Sequence, residues 1–451
     1  MATDVLLIDT LSTMRIDLGF ISPSSVNAQL SGFLEQEGID FAIEYAVPRE
    51  DGEIGILRNN DIVHGSFQQI LAGHAPRIVA LFHDPELTHL ALPVAEKVRS
   101  TLPEALLCIG NSIASALPGD YLNRGFDYVC GQDVFTSFIT LVKKILDHAA
   151  LPKGVFAVPH TYQNLDHFPF ISKRFFENAR PQWSFADSRV LRFGLITGSL
   201  GCTGGCAHCH NSAFWGRTWR PMRATRIAAE MQFQKELLQV NTFYLGDINF
   251  LPNTGNGNSP PFVHPQAAQR LTELDELLPA ELRFISTTRP DTISSLKAHA
   301  PELLERYLRR MSICFLGVES FNSNILSGLK PKVTRQMIKD AITVLAERDI
   351  SIVASFIVGN PAETHASLEE TEEFIMHELP ASAVPILNIM TPFPGTRFYT
   401  EMQEKGLLLK DDVRLFNGQH LLFRHPVFEQ GELESHIREF YYKFFSERYA
   451  G

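Results

Sequence analysis

The sequence predicts an α/β protein in two successive parts. The first is a doubly wound, Rossmann-like domain over residues 1–150. After a linker over 151–188 comes a partial (β/α)6 barrel of the TIM type over 189–405, followed by a helical extension over 406–451. Three observations carry this reading. Short apolar runs alternate with helical patterns twice along the chain, and a Pro- and aromatic-rich stretch without sustained periodicity separates the two series. In addition, 451 residues with 45% hydrophobic composition suffice for at least one large core and for two or three domains.

In the first series, strands are expected at 5–8, 41–45, 77–82, 105–109 and 128–130, separated by helical segments such as 25–37 and 87–101. Buried parallel strands read as continuous apolar runs, and crossover helices fill the gaps between them. Ligands of such sheets sit outside the carboxyl ends of the strands, so the loops after Phe82, Ile109 and Cys130 form the expected functional edge. The stretch from 151 to 188, beginning LPKGVFAVPHTYQNLDHFPF, reads as a linker lying across a surface.

The second series places strands at 191–196, 242–245, 283–287, 312–318, 351–358 and 384–389. Helices are expected near 224–238, 267–278, 293–309, 335–348 and 368–377. Six β/α steps make a partial barrel, whose chemistry belongs at the carboxyl ends of its strands. The chain closes with LESHIREFYYKFF, where Leu433, Ile437, Phe440, Phe444 and Phe445 share a helical stripe that packs or walls a pocket.

Composition removes several classes of function. A net charge of −11, from 40 Lys+Arg against 51 Asp+Glu, gives no electrostatic basis for a nucleic-acid partner. The start, MATDVLLIDTLSTMRIDLGF, has no charged n-region with a long apolar h-region, and no run of about eighteen apolar residues predicts a membrane span. A cytoplasmic location is therefore expected. There thiols stay reduced, and clustered cysteines point to metal binding or catalysis rather than to disulfides.

Such a cluster follows the first barrel strand. GCTGGCAHCH, residues 201–210, holds Cys202, Cys206 and Cys209, three of the six cysteines, spaced C-x3-C-x2-C. Gly204 and Gly205 let the loop turn sharply. With His210 the loop offers a donor set for structural zinc, although zinc sites usually pair C-x2-C knuckles from separate segments. An all-cysteine iron–sulfur cluster needs a fourth thiolate, and Cys108, Cys130 and Cys314 lie far off in sequence. Three thiolates on a cluster leave one iron open, and an open site means chemistry.

The pattern, in this place, resembles the radical S-adenosylmethionine superfamily, in which an aromatic residue commonly precedes the third cysteine; His208 stands there. The resemblance implies a 4Fe-4S cluster whose unique iron chelates the amine and carboxylate of S-adenosylmethionine, reductive release of a 5′-deoxyadenosyl radical, and an electron donor such as flavodoxin or ferredoxin. Further segments are similar to the family's in order. YLGDINF ends the second strand, and its Asp247 would meet the methionine ammonium; by itself it also reads as an Asx turn or cap. GVES supplies Gly317, Glu319 and Ser320, with Glu319 as acceptor for ribose hydroxyls; an isolated strand-end Glu is otherwise a surface ion pair. FIVGNPAET places Gly359 in the turn near adenine, with Glu363 also able to cap the next helix, and TPFPGT follows the sixth strand.

Residues 1–150 resemble the cobalamin-binding domain that precedes the barrel in one branch of the superfamily. The best match, LLCIGNSIASALPGDYLNRGFDYVCGQD over 106–133, has Gly110-Asn111 where the branch has Gly-Gly, so that a corrin or its tail would approach the backbone there. Two departures stand out. There is no D-x-H-x-x-G, so no axial histidine is nominated, and His64 and His83 read as ordinary histidines. A small residue expected after the third strand falls near Phe82. Branch members can hold cobalamin without a protein ligand.

The branch implies a methyltransferase acting on a small or specialised metabolite, with a second S-adenosylmethionine remethylating the cobalt. Cyclisation or ring rearrangement without methyl transfer is the main rival. A radical enzyme whose first domain is a relic comes next, and a non-catalytic zinc or iron–sulfur protein last. Substrate contacts are sought in the loop 251–261, which reads as a lid or a plain insertion, and in Trp215, Arg217, Trp219 and Arg220, which could equally be packing.

Overall fold

The computed structural model describes every residue except 1–2, 12–19, 22–23, 50, 59, 64–66, 132, 160–163, 185–189, 254–262, 331, 410–411 and 450–451. The chain forms two compact units: Met1–Thr197 with Ala229–Gly246, and Gly198–Ala228 with Asp247–Gly451.

The first unit is built on an eight-stranded sheet: β1 (Val5–Thr10), β2 (Phe41–Pro48), β3 (Ile54–Arg58), β4 (Asp61–Val63), β5 (Ile78–Leu81), β6 (Leu106–Ile109), β7 (Tyr128–Cys130) and β8 (Gly154–Phe156). Its order is β4-β3-β2-β1-β5-β6-β7-β8, parallel except at β3 and β4. All six residues of β1 are buried, because a central parallel strand is covered on both faces. Helices α1 (Ser25–Gln36), α2 (Thr88–Thr101) and α3 (Val134–Leu146) are the main cover. Ser24 caps α1 through Val26 N and Asn27 N, and Asp133 caps α3 through Thr136 N.

Three features differ from the sequence reading. The antiparallel strands β3 and β4 were not expected. Within 151–188, β8 joins the sheet, and Phe168, Phe175 and Phe176 are buried, so this stretch packs rather than drapes. The strand expected at 191–196 is split at Phe193: Val190–Arg192 pairs antiparallel with Gln182–Ser184, while β9 (Gly194–Ile196) pairs in parallel with β10 (Thr242–Leu245). A Cβ at Gly194 would stand 2.6 Å from the Phe243 ring, so glycine lets the two strands close up.

The second unit continues with β11 (Arg283–Thr288), β12 (Met311–Glu319), β13 (Ser351–Val358) and β14 (Ala383–Ile389), parallel in that order. Its helices are α4 (Ala224–Leu238, shared with the first unit), α5 (Pro265–Leu277), α6 (Pro290–His299), α7 (Pro301–Leu308), α8 (Ser323–Leu329), α9 (Arg335–Ala346), α10 (His365–His377), α11 (Arg397–Glu404) and α12 (Glu432–Tyr449). The single helix expected over 293–309 is two helices. Ala300, at φ −150°, breaks it because the residue before Pro301 is driven out of the helical region. On α12, Leu433, Phe440 and Phe444 are buried, but Phe445 is 44% exposed and leaves the expected stripe.

Candidate active site

The cysteine loop is closed at its neck by a ribbon, Ser199–Leu200 antiparallel to Arg220–Pro221. Gly201 sits at φ +79°, and a Cβ there would stand 2.1 Å from the Thr218 carbonyl oxygen, so only glycine permits the approach. Cys202 N donates to Gly216 O at 3.2 Å, and Cys209 N to Cys206 O at 3.4 Å. Cys209 then occupies the cap position of the short helix His210–Trp215.

All three thiols are unbridged and half-buried. Burial pushes the Cys202 thiol up; the Gly204 N–H on its sulfur, at 3.3 Å, and the charge of Arg289 oppose this, while its two neighbour cysteines reinforce it. Burial likewise raises Cys209, opposed by Ser212. Cluster assembly would therefore displace protons. Among the described residues no three His, Cys, Asp or Glu side chains converge as ligands of one ion. An iron–sulfur cluster asks something different, since each thiolate binds its own iron, and the soft donor set of this loop fits it. His210 lies with its ring 4.9 Å from Phe393. Phe398 N donates to Ala207 O at 3.0 Å, gripping the loop from the start of α11. Burial pushes the His208 imidazole down; Glu319 opposes this, whereas Lys330 and His210 reinforce it.

Asp247 and Glu319 both lie with a cation. Asp247 is 2% exposed; Ser199 Oγ donates to its Oδ1, and Arg270 Nη2 donates to the same oxygen at 3.1 Å. Arg270 also donates to Gly198 O at 2.7 Å and to Phe250 O at 2.9 Å, joining the cysteine-loop neck to the YLGDINF segment. Its guanidinium carbon is 5.0 Å from the Trp219 ring centroid and 4.4 Å from that of Phe250. Burial lowers the Arg270 pKa and Asp247 opposes the fall. Asp247 Oδ2 is buried without a hydrogen-bond partner among the described residues; a Cβ at Gly198 would stand 2.6 Å from it. Trp219 is thus packing, and Arg220 donates to Trp215 O at 2.9 Å, while Arg217 is exposed.

Glu319 ends β12 at φ +71°, beside a register shift between Gly317 and Glu319. This backbone costs roughly 1–3 kcal/mol for a residue other than glycine. Lys330 Nζ lies 2.7 Å from Glu319 Oε1 and donates to Gly317 O at 2.6 Å. Ser320 Oγ lies 3.4 Å from Thr371 Oγ1 on α10, and accepts from Asn322 N. Gly359, at φ +78°, donates its N–H to Glu363 Oε2, and a Cβ there would meet Leu433 at 2.7 Å. Glu363 is buried and pushed up to about 7 by burial.

A third cation was not legible in the sequence. Arg289 donates to both oxygens of Asp291, at 2.8 and 3.1 Å. Asn253 Nδ2 donates to Asp291 Oδ2 at 3.0 Å, and Thr203 Oγ1 donates to Asn253 O at 2.8 Å, tying this pair to the cysteine loop. Of the loop read as a lid, residues 251–253 are described, with Asn253 bridged to Val263; 254–262 lie outside the described residues.

In the first unit, a polar cluster lines the carboxyl edge where the strand order reverses around β1. Asn27 Nδ2 donates to Phe82 O at 2.7 Å, Asp9 Oδ2 accepts Ser24 N at 2.8 Å, and Asn111 Oδ1 accepts Ala114 N at 2.8 Å. His83 Nε2 lies 3.2 Å from Asn111 Nδ2 and 3.3 Å from Thr88 Oγ1, and burial pushes it down to about 4, so it is neutral. Thr10 Oγ1 and Asn27 Oδ1 are buried without partners among the described residues. Orphaned polar atoms at a switch point fit a polar ligand group, cobalamin included. A Cβ at Gly110 would stand 2.5 Å from the Phe82 ring, so Gly110 makes room for Phe82. His64 lies outside the described residues.

Residues 196–375 match the family model of the Radical SAM superfamily and constitute a radical SAM domain. The hopanoid C-2 methylase of Rhodopseudomonas palustris (strain TIE-1) is 25% identical over 71% of this chain and 56% of its own length. The anaerobic magnesium-protoporphyrin IX monomethyl ester cyclase of Cereibacter sphaeroides is 26% identical over 57% of this chain and 39% of its own. The chain spans about half the length of the curated relatives it matches. The structure of OxsB, a cobalamin-dependent S-adenosylmethionine radical enzyme with aqua-cobalamin and S-adenosylmethionine bound, superposes with a TM-score of 0.63 at 14% identity, covering 99% of this chain and 67% of that one. The α/β fold, a Rossmann-like sheet plus a radical SAM domain, is therefore shared with that enzyme. Among the described residues no helix is long and apolar enough to cross a membrane.

Proposed function

We propose that this chain, which carries a radical SAM domain, is a cobalamin-dependent radical S-adenosylmethionine methyltransferase acting on a small or specialised metabolite. The observation that carries the reading is the glycine-closed loop presenting Cys202, Cys206 and Cys209 inside that domain, on a chain whose length follows the fold of a two-cofactor enzyme. Residues 1–150 would be the cobalamin-binding part, 151–188 the connection, 189–405 the barrel and 406–451 its extension. When bound, the cluster and S-adenosylmethionine supply a 5′-deoxyadenosyl radical, and cobalamin supplies the methyl group.

The chain's own residues then have distinct tasks. The three thiolates hold the cluster, with His208 beside them as a neutral ring. Asp247 offers its unpartnered Oδ2 to the methionine ammonium while Arg270 and Ser199 hold Oδ1. Glu319 accepts from ribose hydroxyls, and Gly317, Ser320 and Gly359 shape the backbone around it. Gly110 and Asn111 shape the cobalamin edge, the first by admitting Phe82 and the second by capping the helix that follows. Electrons would come from a flavodoxin or ferredoxin, and reduced thiols suit the cytoplasm.

Anaerobic reconstitution with iron, sulfide and hydroxocobalamin, followed by spectra and mass analysis of the cleaved cosubstrate, tests this. The expected products are 5′-deoxyadenosine together with S-adenosylhomocysteine, and Cys202→Ala loses the cluster and both products. Zinc in the purified protein with no S-adenosylmethionine cleavage overturns the reading. The similarity to a cyclase supports a second one, cyclisation or rearrangement, which yields 5′-deoxyadenosine without S-adenosylhomocysteine.

A further inference from the structure

Lys330 follows α8, a place where a lysine normally points to water; here its side chain is 5% exposed and folds back onto the end of β12. A buried ammonium is costly unless its protons are met by acceptors. Two are met, by Gly317 O at 2.6 Å and Glu319 Oε1 at 2.7 Å. The pair occupies the room of a missing side chain: a Cβ at Gly317 would stand 2.7 Å from Lys330 Nζ and 2.9 Å from Glu319 Oε1. The ion pair engages Oε1 of Glu319, whose backbone is held at φ +71° and whose side chain keeps 12% exposure.

We infer that Lys330 is a positioning residue that fixes Glu319 for a vicinal diol, with Glu319 Oε2 accepting from one hydroxyl and the third Lys330 N–H donating to its neighbour. This rests on the reading of Glu319 as the ribose contact of S-adenosylmethionine. A carboxylate alone offers only acceptors, whereas a hydroxyl pair both donates and accepts, and the ammonium–carboxylate couple matches both needs. Gly317 is then required for the couple rather than for the ligand.

The test is a thermodynamic cycle on cluster-loaded protein, by equilibrium dialysis, with S-adenosylmethionine and its analogue lacking the 2′- and 3′-hydroxyls. For wild type, removing the hydroxyls weakens binding about 10- to 100-fold, the factor carried by hydrogen bonds to a charged group. In Lys330→Met, S-adenosylmethionine binds as weakly as the analogue does, and the analogue's affinity does not change. Gly317→Ala, which keeps the charge but drives the couple apart, gives the same selective loss and decides the matter if Lys330→Met does not fold. Equal weakening of both ligands overturns the inference and leaves Lys330 a structural ion pair. Failure of wild type to bind S-adenosylmethionine at all counts instead against the enzyme reading.

Discussion

Arg270→Met removes the cation that joins Gly198, at the cysteine-loop neck, to Asp247 and Phe250. The Arg270 side chain is 3% exposed and that of Asp247 0%, and the guanidinium donates to Asp247 Oδ1, Gly198 O and Phe250 O. Methionine fills most of the volume between Trp219 and Phe250, so the loss is chiefly electrostatic. Breaking one side of a buried pair costs about 3–5 kcal/mol, because Asp247 would stay buried with Ser199 as its remaining donor. For the second unit melting on its own, at roughly 2–4 °C per kcal/mol, its melting temperature falls by about 6–20 °C. Arg270→Met/Asp247→Asn removes both charges while Ser199 can still donate to the amide oxygen, and it should recover most of the loss. Scanning calorimetry of the metal-free protein measures both variants. A fall below about 2 °C for the single variant, or a double variant less stable than the single, refutes the argument that this pair is held by mutual charge compensation.

Gly201→Ala forces a Cβ to within 2.1 Å of Thr218 O at φ +79°, so the neck ribbon opens and iron bound per chain after reconstitution falls. Gly205→Ala is its control, since there the Cβ meets only the end of the Arg217 side chain, at 2.8 Å; full iron loading of Gly201→Ala contradicts the prediction. Glu363 gives a pH dependence. Its folded value, about 7, lies above the unfolded 4.5, so its contribution is fully present below 4.5 and is lost as pH rises through 7. The loss is about 3 kcal/mol. Glu363→Gln should therefore match wild type near pH 4.5 and exceed it at pH 8 in urea unfolding; a variant equally destabilised at both pH values removes the cause.

Much of this architecture was legible because its signals are local. The runs that form β5 and β6 are apolar throughout and β1 is apolar through Ile8, as strands covered on both faces tend to be, and the cysteine trio lies within one loop. What escaped depends on distance or on marginal length. The strands β3 and β4 are short and pair with each other across a turn, and β8 has only three residues, so neither leaves a periodic trace. The break at Ala300 was in principle readable from Pro301, but the apolar pattern running through 293–309 hid it.

The carboxylates show the sharper limit. Asp247 and Glu319 could be found from strand-end motifs, yet nothing near them in sequence reveals that each arrives with a buried cation. Arg270 comes from α5, inside the helix expected near 267–278, and Lys330 from beyond α8, between the strand expected at 312–318 and the helix expected near 335–348, where no element was expected. Physical necessity supplies the missing rule. A carboxylate placed at a strand end beneath a loop loses most of its hydration, and it stays ionised only if donors replace the water. The protein meets that demand before any ligand arrives: Arg270 and Ser199 hold Oδ1 of Asp247, Lys330 holds Oε1 of Glu319, and Asp247 Oδ2 stays buried without a partner among the described residues. Such half-engaged carboxylates are oriented without being saturated, which is the condition a binding site for a charged, hydroxyl-bearing cosubstrate must satisfy.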